Sequence, residues 1–397
     1  MQTDITVDNA LQKASVGLRK KMEYTLQLLQ KAEKIALSYD QEDGFYLAFS
    51  GGKDSQALLH MAQLAGVKFR AHMNLTSVDP PEVIRFVRTN YKEVELNKPH
   101  KSIFRIAVEK QILPTQRVRW CCAEYKENAG AGKVTLIGIR RKESSRRAKR
   151  NEVEISNRKF SGSLDDFEEY RQEQKAKRAR RRSKKDGVNI TNADNEQTLG
   201  CINGKESLLI SPIINWSERD VWEFLNDVVS VPHCSLYDES WKRIGCIGCP
   251  MSSRKQKLFE IKRYPHVKRN WIKAIKAIRA GGGIQKRTYL VEHPQGLGAS
   301  QKRQRIAQDA GGYIKHPESA NSGCGQTATE RQNVGLWALA TPGFSESSSS
   351  DRLTEEQEDE IAENIYDWWI SGVSYKKWYA QKFLQLKFNF DEDGETN

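Results

Sequence analysis

Two groups of residues in this chain have types and spacings that carry chemistry. The first lies in residues 45–60, FYLAFSGGKDSQALLH, where an apolar run stops at SGGKDS and restarts with helical spacing. A strand turning through two glycines into a helix brings backbone N–H groups and the helix N-terminus to one point, forming an anion nest. Gly51 and Gly52 permit backbone geometry and a close approach that side chains forbid. Ser50 and Ser55 add hydroxyls, Lys53 adds a compact positive charge, and Asp54 offers either a cap or a contact to magnesium. The spacing is not G-x-x-x-x-G-K-[ST], so the loop holds phosphate in another way.

The second group is sulfur. Of seven cysteines, Cys121 and Cys122 are adjacent, Cys246-x-x-Cys249 shares one turn before Pro250, and Cys201, Cys234 and Cys324 stand singly. An odd, clustered set favours metal ligation or redox work over disulfides in a reducing compartment. Cys246 and Cys249 give two local ligands, and Cys121, Cys122 and Cys234 are candidates to complete four. Zinc and an iron–sulfur cluster both suit an all-thiolate site. Cys201 and Cys324 read as plain thiols.

The elements that must position these groups follow from periodicity. Apolar residues three and four apart over residues 11–38 predict one amphipathic helix leading into the strand GFYLAFS. The helix SQALLHMAQLAG ends at Gly66, VKFRAHMNL is a second strand, and Pro80-Pro81 opens the helix EVIRFVRTNY. VTLIGI (134–139) and LLISPII (208–214) read as further buried strands, and alternation with helices implies an α/β, doubly wound, mostly parallel sheet. Ser217 caps the helix SERDVWEFLNDV, and a long basic helix over about 253–279 ends at the glycines of 281–283. Between the last two strands, RRKESSRRAKR and KAKRARRRSKK (175–185, eight basic residues in eleven) read as an insertion too polar to pack.

AFSGGKDS resembles the PP-loop of the ATP pyrophosphatases, and residues 45 to 255 are similar to the phosphoadenosine phosphosulfate (PAPS) reductase family. NLTSVDPPEV stands where that family has a D-T-G-x-x-x-P-E-T-like segment. RWCCAEYKE resembles its tandem-cysteine segment, GIRRKESSRRA its G-x-R-x-x-x-S-x-x-R segment, and PIINWSERDVWEFL with VPHCSLYDESWKRIGCIGCP its closing block. The resemblance implies a Rossmann-like, adenine nucleotide α-hydrolase-like sheet that binds an adenine nucleotide or adenylyl sulfate. SGGKDS would hold the phosphates, and Arg140 with Arg146 or Arg147 would contact phosphate or sulfate. It also implies a [4Fe–4S] cluster held by the tandem cysteines and the later C-x-x-C, which here would be Cys121, Cys122, Cys246 and Cys249. Because Cys234 lies within sixteen residues of that later pair, the set expected here is Cys122, Cys234, Cys246 and Cys249. The tandem-pair set stays open, and zinc is the rival metal. The domain plan is then an N-terminal helix (1–40), a PP-loop domain (41–280) with a basic insertion at about 141–205, a loop-rich linker (281–352) and a helical C-terminal region (353–397). In that last region the acidic-starting helix carries an aromatic face, and Trp368 and Trp369 are expected to pack in a small core or an interface.

The net charge of +13 in 397 residues points to a polyanionic partner. With 29% charged residues and a mean hydropathy of −0.70, a folded body with polar additions is expected. No apolar run reaches about 18 residues, and MQTDITVDNALQKASVG lacks a basic stretch followed by an apolar one, so a cytoplasmic protein without a membrane partner is expected. Reductases of the resembled family use a cysteine in a C-terminal E-C-G-[LI]-H segment. Here the nearest late cysteine, Cys324 in SANSGCGQTATE, has neither the Glu nor the His. The remaining PP-loop chemistry is ATP-dependent sulfur transfer, in which an acceptor oxygen on DNA or tRNA is adenylated and replaced by sulfur. It calls for ATP (or PAPS), Mg2+ and a sulfur donor such as a cysteine desulfurase. Two other classes stay open: a PAPS or adenylyl-sulfate reductase, and a non-enzymatic nucleotide- or DNA-binding regulator.

Overall fold

The structure, a computed structural model, describes residues 5–127, 129–156, 160–186, 206–239, 241–281, 354–374 and 378. Along the chain run α1 (Val7–Lys13), α2 (Val16–Tyr39), β1 (Phe45–Ala48), α3 (Lys53–Leu64), β2 (Phe69–Asn74), α4 (Pro81–Asn90), β3 (Glu95–Asn97) and α5 (Ile103–Lys110). They are followed by α6 (Trp120–Cys122), β4 (Val134–Ile137), α7 (Ser145–Ala148), β5 (Val153–Ile155), β6 (Ser161–Gly162) and α8 (Leu164–Asp186). The chain continues with β7 (Leu208–Ile210), α9 (Glu218–Glu223), α10 (Arg254–Arg263) and α11 (Pro265–Ala280), and then α12 (Glu355–Ser371). It divides into two compact units, one of residues 1–100 with 120–246 and one of residues 101–119 with 247–397.

The first unit is built on a seven-stranded sheet in the order β3-β2-β1-β4-β7-β5-β6. β3, β2, β1, β4 and β7 are parallel, and β5 and β6 add an antiparallel edge. The expected doubly wound, mostly parallel sheet is therefore present. The chain leaves β1 toward β2 on one side and later returns to place β4 on the other. That reversal is a topological switch point, where ligands bind at the carboxyl ends of strands. Short strands suffice because Phe45, Leu47, Leu136 and Ile210 are fully buried in the sheet.

Local chemistry sets the element ends. The single helix expected over 11–38 is two helices, because Ala14 is extended and the Ser15 hydroxyl caps α2 by accepting from Leu18 N at 3.4 Å. The basic helix expected over 253–279 is also two, since Pro265 lacks an N–H and starts α11 afresh. LLISPII pairs only through Ile210 before Pro212 turns the chain. Ser217 caps α9 as expected, and Asp220 returns the bond by accepting from Ser217 N.

The segment 175–185, expected not to pack, is the C-terminal half of the 23-residue helix α8. Phe160, Phe167 and Tyr170 cluster at the start of that helix, with Phe167 fully buried, and Asp166 caps its first turn by accepting from Ser163 N at 2.8 Å. Helical propagation from this anchored turn carries the basic stretch.

The second unit is helical. α11 packs on α5 and α12, with Trp271 set 4.9 Å from both Phe104 and Trp369. Trp369 donates its Nε1–H to Pro114 O at 2.7 Å. Trp368 and Trp369 are thus core residues, as their aromatic stripe suggested. The expected linker and the last residues of the C-terminal region lie outside the described residues, as do Cys201 and Cys324.

Candidate functional site

β1 delivers SGGKDS to the switch point. Gly51 has φ +71° and lies against α4, where an added Cβ would come within 2.7 Å of Val83 Cγ1 and 3.0 Å of Val87 Cγ2. Only glycine meets both demands. Gly52 is the N-cap of α3 and makes no side-chain cap; the first amide of the helix, that of Lys53, donates to the Tyr237 hydroxyl, and the amides that follow it keep the anion-attracting character of a helix N-terminus. Ser55 Oγ donates to Gly52 O (2.8 Å) and accepts from Ser50 N (3.1 Å). Its proton being committed, Ser50 Oγ is the donor in the 3.1 Å contact between the two hydroxyls.

Lys53 is only 3% exposed. Its ammonium lies 3.2 Å from Lys242 O, 3.5 Å from Glu218 Oε1 and 3.7 Å from Asp54 Oδ2. Asp54 Oδ1 accepts from Arg140 Nε at 2.5 Å. Glu143 accepts from Arg140 N at 3.0 Å and pairs with Arg147. Burial, with the charge of nearby Arg243, pulls Arg147 down to about 10, and it remains a cation at neutral pH. Arg146 is exposed, so of the two arginines offered by sequence it is Arg147 that turns toward Asp54 and Arg140. β4 sets this geometry: a Cβ at Gly138 would lie 2.8 Å from Asp54 O.

Sequence reasoning missed two residues here. Glu218 begins α9 and pairs with Lys53. Tyr237, inside the quoted VPHCSLYDESW block but not singled out there, accepts from Lys53 N at 2.9 Å and lies 5.5 Å under its ammonium. Their contacts are long-range in sequence and leave no local periodic signal.

A second constellation surrounds Cys246. Lys126 Nζ lies 3.3 Å and Thr76 Oγ1 3.4 Å from its Sγ, and Thr76 donates to Asp79 Oδ1 at 3.0 Å. The charge of Cys246, with those of Asp79 and Cys122, holds the Lys126 ammonium above its usual range. Cys121 and Cys122 are half-buried, whereas Cys234 is fully buried and burial pushes its thiol up. In the second unit, Gly248 (φ +69°) donates to Glu260 Oε2 at 2.7 Å, which fixes the turn before Cys249. The thiols have the donor chemistry of an iron–sulfur or zinc site. Among the described residues no three His, Cys, Asp or Glu side chains are grouped to hold a metal. Among the same residues no helix is long and apolar enough to cross a membrane.

Residues 44–252 match the model of the phosphoadenosine phosphosulfate reductase domain. An uncharacterized protein of Methanocaldococcus jannaschii is 25% identical over 292 residues, which cover 69% of this chain and 59% of the relative. The adenosine 5'-phosphosulfate reductase of Oceanobacillus iheyensis is 39% identical over 44 residues, 11% of this chain and 18% of that enzyme. The chain therefore spans less than two thirds of the length of either relative. Among solved structures, Candida glabrata FMN adenylyltransferase aligns with a TM-score of 0.34 at 13% identity, over 61% of this chain and 67% of that one.

Proposed function

The chain belongs to the phosphoadenosine phosphosulfate reductase domain family, and from that premise we propose that it is an ATP-dependent sulfurtransferase acting on nucleic acid. One observation carries the reading: the SGGKDS loop presents the α3 N-terminus at the sheet's switch point, with Lys53 beside it and Asp54 held by Arg140. In the proposed reaction an acceptor oxygen attacks the α-phosphate of ATP and pyrophosphate leaves. Sulfide, released from the persulfide of a donor such as a cysteine desulfurase by a thiol reductant that is oxidised to its disulfide, then displaces AMP, which leaves carrying that oxygen. The α3 amides and Lys53 stabilise charge developing on the phosphates, and Arg140 and Arg147 orient them. Asp54 would hold Mg2+, which would supply charge neutralisation for the leaving pyrophosphate.

A [4Fe–4S] cluster on Cys122, Cys246 and Cys249, with Cys234 or Cys121 as fourth ligand, is proposed on donor chemistry alone, and no step above runs through it. Anaerobically purified protein is then brown, with iron and sulfide in equal amounts; colourless protein containing zinc rejects the cluster. The basic half of α8 supports a nucleic-acid acceptor, because eight cations in eleven residues bind phosphate backbones without reading sequence.

The deciding experiment is pyrophosphate release from ATP in the presence of DNA or tRNA, with mass spectrometry of the nucleic acid for sulfur in place of oxygen. Loss of release in Lys53→Ala supports the enzyme. Nucleotide binding without turnover on any acceptor leaves a regulator. The 44-residue likeness to an adenosine 5'-phosphosulfate reductase favours a second reading, adenylyl-sulfate or PAPS reduction. Sulfite release with thioredoxin as reductant, abolished in Cys324→Ser, would establish that reading instead.

A further inference from the structure

Tyr237 meets the phosphate loop from the far end of the first unit's sequence, 184 residues beyond Lys53. Its ring is fixed by Trp222, edge-on at 5.1 Å and 88°, and by the Lys53 ammonium 5.5 Å from its centroid. Gly52 makes room for the approach, since a Cβ there would lie 3.3 Å from the Tyr237 hydroxyl. A phenol hydroxyl has one proton to donate and lone pairs to accept with. Here the oxygen accepts the Lys53 amide at 2.9 Å, while its own proton has no acceptor among the described residues. Burial pushes the phenol above its ordinary range, so the proton is retained at neutral pH.

We infer that Tyr237 is a phosphate-contacting residue, whose hydroxyl accepts the Lys53 amide and donates its proton to a phosphate oxygen held by the SGGKDS loop. The first amide of α3 thereby reaches the anion through the tyrosine, and each hydrogen bond in such a chain polarises the next. The acceptor oxygen would stand about 2.7 Å beyond the phenol oxygen. This inference rests on the reading that the loop holds the phosphates of an adenine nucleotide.

The test measures binding of ATP, inorganic pyrophosphate and adenosine to the full chain and to Tyr237→Phe, which keeps the ring and removes only the hydroxyl. Losing one hydrogen bond to a charged group weakens ATP and pyrophosphate about tenfold, with adenosine unchanged. A purely structural tyrosine would lower the melting temperature and leave the ratio of ATP to adenosine affinity where it was. Equal ATP affinity in wild type and Tyr237→Phe overturns the inference. Wild-type protein that binds neither ATP nor pyrophosphate overturns the nucleotide reading beneath it. Should the variant not fold, ultraviolet difference spectra of the wild type decide, because a tyrosine perturbation on adding pyrophosphate is expected and its absence rejects the contact.

Discussion

Arg140 Nε sits 2.5 Å from Asp54 Oδ1, and this pair ties the segment after β4 to the first turn of α3. The guanidinium side chain is 4% exposed and the carboxylate 19%, so neither charge is well solvated once the other is removed. Arg140→Ala therefore destabilises the protein by about 3 kcal/mol, since Asp54 Oδ1 loses its partner and Lys53, 3.7 Å from Oδ2, only partly compensates the carboxylate. Arg140→Ala combined with Asp54→Ala should be more stable than the sum of the single changes by at least about 1 kcal/mol. Urea unfolding of the four proteins measures this coupling, and strict additivity would show that the pair is not energetically linked.

His60, on α3, is a pH-sensitive element of the fold. It is 1% exposed, with Nδ1 2.9 Å from Gln63 Oε1 and Nε2 3.1 Å from the Tyr91 hydroxyl. Tyr91 also accepts from Gln56 Nε2 at 2.7 Å, so its proton goes to His60 Nε2 and the ring is neutral. Burial pushes His60 down from 6.5 to about 4. The unfolded chain takes up the proton below about pH 6.5 and the folded chain only near pH 4, so stability falls as pH drops through that window. The loss is about 3 kcal/mol and is absent above pH 6.5. Comparing wild type with His60→Gln in urea at pH 7 and pH 4.5 isolates it, since the other titrating groups are common to both. Parallel pH profiles would rule it out.

The parallel core of the sheet was legible because β1 (FYLA) and β4 (VTLI) are short, mostly apolar runs, and buried parallel strands leave that trace, while β2 (FRAHMN) shows it only in part. α3 and α4 were legible from Gly66 and Pro81. The break at Ser15 was not, because the apolar spacing runs across it and only the cap reveals the end of α1. Within the site, the loop residues carried a local signature. Tyr237, Glu218 and the orientation of Arg147 did not, since each is fixed by a partner far along the chain or by the turn of α7. The helical state of 175–185 was hidden for a related reason: its composition argues against packing, while the aromatic anchor that starts the helix lies a turn and more upstream.

Ser77 follows β2 with φ +64°, a conformation that suits glycine. In the D-T-G-x-x-x-P-E-T-like register of NLTSVDPPEV, Ser77 stands at the glycine. The strain is held beside Thr76, whose amide donates to Asp79 Oδ2 at 2.5 Å. Ser77→Gly removes the left-handed penalty of about 1 kcal/mol against a somewhat smaller loss from the freer unfolded chain. The variant should equal or exceed the wild type in stability by up to about 0.5 kcal/mol. A clear drop in its urea midpoint would mean that the Ser77 hydroxyl, which donates to Thr76 O at 2.5 Å, outweighs the backbone strain.

Gly51 tests the phosphate loop from its other side. Alanine there must keep φ +71° and push its methyl against Val83, which is 1% exposed and has no room to retreat. The backbone contributes about 1 kcal/mol and the overpacking about 1–3 kcal/mol, so Gly51→Ala loses about 2–4 kcal/mol. Val83→Ala is destabilising alone because it leaves a cavity, yet that cavity is where the new methyl points. The double variant should therefore recover at least about 1 kcal/mol relative to the sum, while the φ penalty persists. If its urea midpoint instead falls by the full sum, the loop does not rest on α4 through Val83, and the position of the nest would have to be set by β1 and β4 alone.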